Sequence, residues 1–172
     1  MNETLAQIPQ PQTHDRPSWD EYFMAITRAV ATRATCSRRS VGAVIVKDKR
    51  ILATGYNGAP IGMRHCDHTN GGDMRDGHCA RSTHAEQNAL VQAARYGTPI
   101  AGGTMYCTDH PCLTCAKLLI NAGIARIVYE SAYPDELAAA LLREAGTGLD
   151  RSPAETPREP SAMQRRPPEA GE

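Results

Sequence analysis

Apolar residues recur at helical spacing from Ser18 to about Thr35, where Tyr22, Ile26, Ala29, Val30 and Ala34 can share one face. Ser18 and Glu21 stand at capping-box spacing and mark the start of that helix. The pattern then shortens to apolar runs. Val41–Val46 and Ile51–Tyr56 read as strands, and the polar tetrad Lys47-Asp48-Lys49-Arg50 between them makes an antiparallel hairpin. From Asn57 to Ser82 no period holds and glycine is frequent. A loop that long inside a compact domain is functional, clamped by a metal, or disordered.

Helical periodicity resumes from about His84 to Tyr96 and stops at Gly97. Thr104–Thr108 is a short strand. Pro111 suits the first turn of a helix that runs to about Asn121 and ends at Gly123. Arg126–Tyr129 reads as another strand, and Pro134–Ala145 as a final helix. The strand–helix–strand order from 104 to 130 implies parallel strands joined by a right-handed crossover. Together these elements predict an α/β sandwich with a mixed sheet and helices packed on it.

Composition narrows the partners. Among 172 residues, 19 Lys plus Arg balance 19 Asp plus Glu, so no global field draws in nucleic acid. One Trp and one Phe also argue against a platform for stacking single-stranded bases. No apolar run is long enough to span a bilayer. Residues 1–17 are polar, carry Pro9, Pro11 and Pro17, and lack a signal-peptide core; they are expected to be a disordered leader. Residues 146–172 hold five of the twelve prolines and are expected to be a disordered tail, which leaves 18–145 as the folded domain. A cytoplasmic location follows as the expectation, and there six cysteines serve metal or catalysis better than disulfides.

The chemistry concentrates in His84-Ala85-Glu86 and Pro111-Cys112-Leu113-Thr114-Cys115. One imidazole and two thiolates make three ligands and leave the fourth position of a tetrahedral zinc free, the arrangement of a catalytic site. Glu86, two residues from the histidine, is then a carboxylate that can handle the protons of an activated water. This combination is the signature of deaminases acting at C4 of cytosine or C6 of adenine. Each part alone has a plainer meaning. Thr83 and Glu86 also have capping-box spacing, and Cys112 with Cys115 would suit a redox pair or half of a structural zinc site. Both halves of the motif open helices, and free N–H groups at the start of the second would favour thiolates at Cys112 and Cys115.

Cys36, Cys66 and Cys79 remain, with His65, His68 and His78 nearby. Singly they are small buried residues or surface imidazoles. Together they offer a second, closed zinc site that fixes a loop too polar to fold alone. Cys36, Cys66, His78 and Cys79 are the favoured ligands, with His65 or His68 as the fourth if one of these is wrong, because spacing does not choose among them. Cys107 reads as core. His110, beside Cys112, would orient a phosphate or simply hold its loop.

Beyond the zinc motifs, the chain carries Ser40-Val41-Gly42-Ala43-Val44-Ile45, Thr54-Gly55-Tyr56-Asn57-Gly58, His84-Ala85-Glu86-Gln87-Asn88-Ala89 and Asn121-Ala122-Gly123-Ile124. With these it resembles the cytidine/deoxycytidylate deaminase superfamily, and within it the deoxycytidylate (dCMP) deaminase family of the late-competence-operon type, over about Ser18–Tyr133. The Gly-Tyr-Asn-Gly stretch and the long insert separate it from tRNA adenosine deaminases. The resemblance implies a three-layer α/β/α sandwich of the cytidine deaminase type, with a mixed central sheet flanked by helices. It implies catalytic zinc on His84, Cys112 and Cys115, Glu86 as proton shuttle, Asn57 on the deoxyribose 3′-hydroxyl, the Ala85 N–H on the pyrimidine O2, and Tyr133 near the nucleotide. Arg95 falls in a set linked to assembly and regulation, with Gly55 and Gly58, whose N–H groups would also suit a phosphate. The implied reaction is hydrolysis of dCMP to dUMP and ammonia, feeding thymidylate synthesis. The implied protein is a hexamer activated by dCTP and inhibited by dTTP, with magnesium accompanying the triphosphate and a second zinc in several relatives. Arg39, Arg64 and Arg81 are the cations near enough in sequence to meet the 5′-phosphate. The competing readings are a deaminase of cytidine or tRNA adenosine, and a non-catalytic zinc-stabilised module for DNA uptake.

Overall fold

The computed structural model describes residues 16–75, 77–131 and 135–152. Its elements are α1 (Trp19–Ala31), β1 (Gly42–Lys47), β2 (Arg50–Tyr56), β3 (Met74–Arg75), β4 (His78–Cys79), α2 (Ala85–Tyr96), β5 (Thr104–Cys107), α3 (Leu113–Asn121), β6 (Arg126–Tyr129), α4 (Glu136–Glu144) and β7 (Gly148–Arg151). Five strands form one sheet in the order β2-β1-β5-β6-β7, with β1 antiparallel to β2 and β5. β5 and β6 run parallel, as the crossover argument requires, and β7 lies parallel to β6. β3 and β4 pair as a separate ribbon within the long insert.

Strand alternation sorts the core into two faces. Ala43, Ile45, Met105, Cys107 and Ile127 pack with Ala85, Ala89, Ala116, Leu119 and Leu142 of α2, α3 and α4. Their neighbours Val44, Val46, Tyr106 and Val128 pack with Phe23 and Met24 of α1. Side chains of period two thus place α1 on one face and the other helices on the opposite one. β1 is buried on both faces, which explains its unbroken apolar run. The hairpin turns through Asp48 and Lys49, both at positive φ, the geometry that matches strand twist in a two-residue turn. Among the described residues no helix is long and apolar enough to cross a membrane.

Two boundaries differ from expectation. α1 ends at Ala31 rather than near Thr35, because the Thr35 N–H is taken by the Asn57 carbonyl at 3.1 Å and the chain is pulled out of the helix. The domain also runs past 145. Gly146, at φ 73°, ends α4, and β7 then adds to the sheet edge beside β6 with Leu149 packed on the core. A four-residue strand with one apolar residue shows no readable period. The leader before residue 16 and the tail after Ser152 lie outside the described residues.

Candidate active site

His84 is the residue before α2, and its backbone N–H donates to the Gln87 side-chain oxygen at 3.0 Å. Gln87 therefore takes the capping role that spacing offered to Glu86. The Gly58 N–H reaches the Thr83 carbonyl at 3.2 Å, and the Thr83 N–H returns to the Gly58 carbonyl at 2.8 Å. This bridge pins the residue before His84 to the end of β2. Cys112 likewise stands immediately before α3, and Cys115 one turn in.

The two helix starts meet at the end of the sheet where β2 finishes and β5 exits. His84 Nδ1 lies 3.6 Å from Cys112 Sγ and 3.5 Å from Cys115 Sγ. The three ligand atoms all fall within 4.8 Å of one another. Two sulfurs and one imidazole nitrogen so close are the donor set of a tetrahedral zinc. The Cys115 thiol and the neighbouring His84 hold the Cys112 thiol down at about 3, helped by the Cys115 N–H at the helix start. The same sulfur–sulfur hydrogen bond, with burial, keeps the proton on Cys115. Cys112 is thus the sulfur that gives up its proton more readily, and metal binding would displace the one on Cys115.

Glu86 is only 3% exposed, and burial raises its carboxyl to about 7. It lines a cleft of about 250 Å³ together with His84, Ala85, Cys112, Asn57 and Arg38. Ala85 is the first residue of α2, so its N–H has no acceptor within the helix. Asn57 is buried; its Oδ1 accepts from the Val41 N–H at 2.8 Å and its Nδ2 donates to the Arg39 carbonyl at 2.8 Å. That leaves one lone pair and one N–H free on its amide. His110 lines the cleft too, with Nδ1 between the Pro111 carbonyl and the Asp135 N–H, at 2.9 and 3.2 Å.

A second cluster brings Cys36, Cys66, His68 and Cys79 within 4.8 Å of one another. His68, the alternative imidazole, stands where His78 was favoured. His78 and Cys79 are consecutive in β4, so their side chains leave opposite faces; with Cys79 turned into the cluster, His78 turns away from it and is exposed, and both residues line the cleft. Ser37 Oγ lies 3.4 Å from His68 Nδ1 and leaves Nε2 facing Cys36 at 3.9 Å. Burial raises the Cys66 thiol to about 12. It opposes ionisation of Cys79 as well, but hydrogen bonds from His68 and from the Ser82 and Arg81 N–H groups bring that thiol to about 7.

Sequence spacing did not reveal Asp73. Its carboxylate accepts from both Arg64 Nη atoms at 2.9 and 3.0 Å, from Arg81 Nε at 3.0 Å and from the Asp67 N–H at 2.8 Å. Arg64 and Arg81 are thereby committed to the insert. Arg39 reaches the cleft but pairs with Asp109 at 2.9 Å. Arg38 was not singled out. It lines the cleft, donates to the Gly77 carbonyl at 2.7 Å, and so stands beside His78. Gly55 and Gly58 have packing reasons: β-carbons there would collide with the Ala85 carbonyl and with Thr35 Oγ1. Arg95 is exposed on α2, its guanidinium 5.9 Å from the Tyr96 ring centre. Tyr133 lies outside the described residues.

The profile of the cytidine and deoxycytidylate deaminase zinc-binding region matches residues 17–131. The chain belongs to that family. The deaminase is 44% identical over 138 residues to ComE operon protein 2 of Bacillus subtilis, covering 80% of this chain and 72% of that one. It is 42% identical over 137 residues to the deoxycytidylate deaminase of Saccharomyces cerevisiae, covering 76% of this chain but 44% of the yeast protein. Among solved structures, the deaminase matches the dCMP deaminase of cyanophage S-TIM5 in complex with dCMP and dUMP. The TM-score is 0.71 at 32% identity, over 81% of this chain and all of the phage chain. That match bears out the expected layered α/β fold.

Proposed function

We propose that the protein is a zinc-dependent hydrolase that converts dCMP to dUMP and ammonia, feeding thymidylate synthesis. The observation that carries this reading is the buried Glu86 carboxylate lining one cleft with His84 and Cys112. Zinc held by His84, Cys112 and Cys115 would supply the Lewis acidity that lets a water lose a proton near neutral pH. Glu86 then carries both protons of that water, the first to N3 of cytosine as the oxygen bonds to C4, the second to the exocyclic nitrogen as the C4–N bond breaks and ammonia departs. A carboxyl near 7 exchanges a proton in either direction at little cost, as a group alternating between base and acid must.

The substrate is positioned by groups with unused hydrogen-bonding capacity. The Ala85 N–H faces the pyrimidine O2, and the remaining lone pair and N–H of Asn57 serve the 3′-hydroxyl. Arg38 and His78 take the 5′-phosphate in place of Arg64 and Arg81, which Asp73 holds. In the second cluster, Cys36, Cys66, His68 and Cys79 form a structural zinc site that holds the insert as one wall of the cleft. Cys36 and Cys79 line both.

The same reading takes the enzyme as a cytoplasmic homo-oligomer, a hexamer by family resemblance, activated by dCTP with magnesium and inhibited by dTTP. Exposed Val91 and Tyr96 on α2 and Leu118 on α3 support assembly. Ammonia release from dCMP, CMP, deoxycytidine, dCTP and a tRNA anticodon stem, with and without dCTP as effector, tests the substrate. The expected order is dCMP first, with deoxycytidine at least about tenfold lower in kcat/KM, as even one lost charge-assisted contact implies, and no turnover of the tRNA. Zinc-loaded protein that turns over no cytosine nucleotide would reject the reading in favour of an accessory module.

A further inference from the structure

The start of α3 has an unusual set of caps. The residue before the helix is Cys112, whose sulfur belongs to the metal triad and makes no capping hydrogen bond. No Ser, Thr, Asp or Asn stands there to take an N–H of the first turn. The first donor of the helix, Leu113 N, reaches across 22 residues to Asp135 Oδ2 at 3.1 Å. The other oxygen of the same carboxylate, Oδ1, accepts from Ala138 N at 3.0 Å and caps α4. One side chain therefore closes the N-termini of two helices, and a carboxylate is the charge both ends favour. A second link ties the same loops together, from the His110 N–H to Ser131 Oγ at 3.1 Å.

α3 carries both sulfurs of the triad, while His84 arrives on α2 from another part of the chain. The His84–sulfur distances thus depend on where the first turn of α3 sits. We propose that Asp135 is a positioning residue for the catalytic metal. By sharing its carboxylate between the Leu113 and Ala138 N–H groups, it sets where Cys112 and Cys115 stand relative to His84 Nδ1. The inference rests on the zinc reading of the triad and is independent of which base is deaminated.

Two substitutions isolate the bond to Leu113. Asp135→Ser keeps a short acceptor for Ala138 and caps α4, but its hydroxyl is too short to reach Leu113. Leu113→Pro removes the donor together with a half-buried side chain, whose loss Leu113→Ala measures separately. Proline is favoured at the first helical position, and Cys112, at φ −71° and ψ 168°, already has the extended backbone that precedes a proline. Zinc affinity is read by chelator competition, and ligand geometry by the visible spectrum of the cobalt(II)-substituted protein; neither needs a substrate. Each variant is expected to bind zinc roughly 10–100-fold more weakly, the range for lost supporting contacts around metal ligands. Each should show shifted thiolate–cobalt bands, and kcat should fall with KM for the nucleotide unchanged. The double variant is expected to be no worse than the weaker single one, because both remove the same bond. Wild-type zinc affinity and an unshifted cobalt spectrum in either folded variant would overturn the proposal. Should Asp135→Ser fail to fold, Leu113→Pro decides alone.

Discussion

A β-carbon on Gly55 would stand 2.2 Å from the Ala85 carbonyl oxygen and 2.4 Å from the Ala89 nitrogen. The first turn of α2 therefore lies directly on the backbone of β2, with no room for any side chain between them. Both obstructing atoms belong to backbone, so nothing can rotate aside. Gly55→Ala is expected to cost about 1–3 kcal/mol, the range for overpacking a tight interior, and Gly55→Val more. The same shift displaces His84 and Glu86, so kcat should fall further than lost stability explains. Urea unfolding together with kcat on the remaining folded protein checks this. An alanine variant of wild-type stability and rate would mean that α2 is free to retreat.

In the proposed reaction Glu86 carries the protons, while His84, Cys112 and Cys115 would hold the metal. Glu86→Gln is expected to retain zinc at wild-type stoichiometry and to lose about 10²–10⁴-fold in kcat, the range for removing a positioned acid–base group. Cys112→Ala should lose metal and activity together. Metal analysis beside initial rates separates the two outcomes. Near wild-type turnover in the glutamine variant would require another proton carrier in the cleft.

The candidate centre was legible because its residues lie in two short segments with fixed spacing, each opening a helix. His84, Glu86, Cys112 and Cys115 needed only the fold to bring those openings together. The sheet was legible for a similar reason: the alternation of Val44 and Val46 against Ala43 and Ile45 records two buried faces. The insert was not, since its order comes from contacts with no local period. Asp73 gathers Arg64, Asp67 and Arg81 through one carboxylate, and nothing in the spacing of those residues points to it. Asp135 was hidden in the same way, because its partner Leu113 is an ordinary apolar residue whose N–H matters only once α3 is placed. The choice between His68 and His78 turned on strand parity in β4, a two-residue strand too short to read in advance.

That parity gives the second cluster a direct test. His68→Ala is expected to lower zinc from two ions per chain to one and to make the insert sensitive to proteolysis, since a closed site contributes folding energy outright. His78→Ala should keep both ions. Metal content after exhaustive dialysis, with limited proteolysis of the same samples, reads both effects. One zinc in fully active wild-type protein would remove the structural site, and loss of an ion on changing His78 instead of His68 would reverse the assignment.

Arg38 and His78 approach the same mouth of the cleft from different segments, one preceding β1 and the other in β4. The Gly77 carbonyl at 2.7 Å and Met74 Sδ at 3.9 Å fix the arginine there through Nη1, which leaves Nε and Nη2 for an anion. Arg39, by contrast, already neutralises Asp109, whose half-buried carboxyl burial has raised. Removing Arg38 should therefore weaken recognition of phosphate while leaving the chemistry alone. A charge-assisted hydrogen bond contributes about 1.5–3 kcal/mol, so Arg38→Ala is expected to lower kcat/KM for dCMP roughly 10–100-fold, mostly through KM. His78→Ala should act in the same direction with a smaller effect. The rate on deoxycytidine, which has no phosphate, should hardly move in either variant. Arg39→Ala serves as the contrast, because it strands Asp109 beside the metal triad and should lower kcat on both substrates. Equal losses on dCMP and deoxycytidine in Arg38→Ala would show that this side chain shapes the cleft without reading the phosphate.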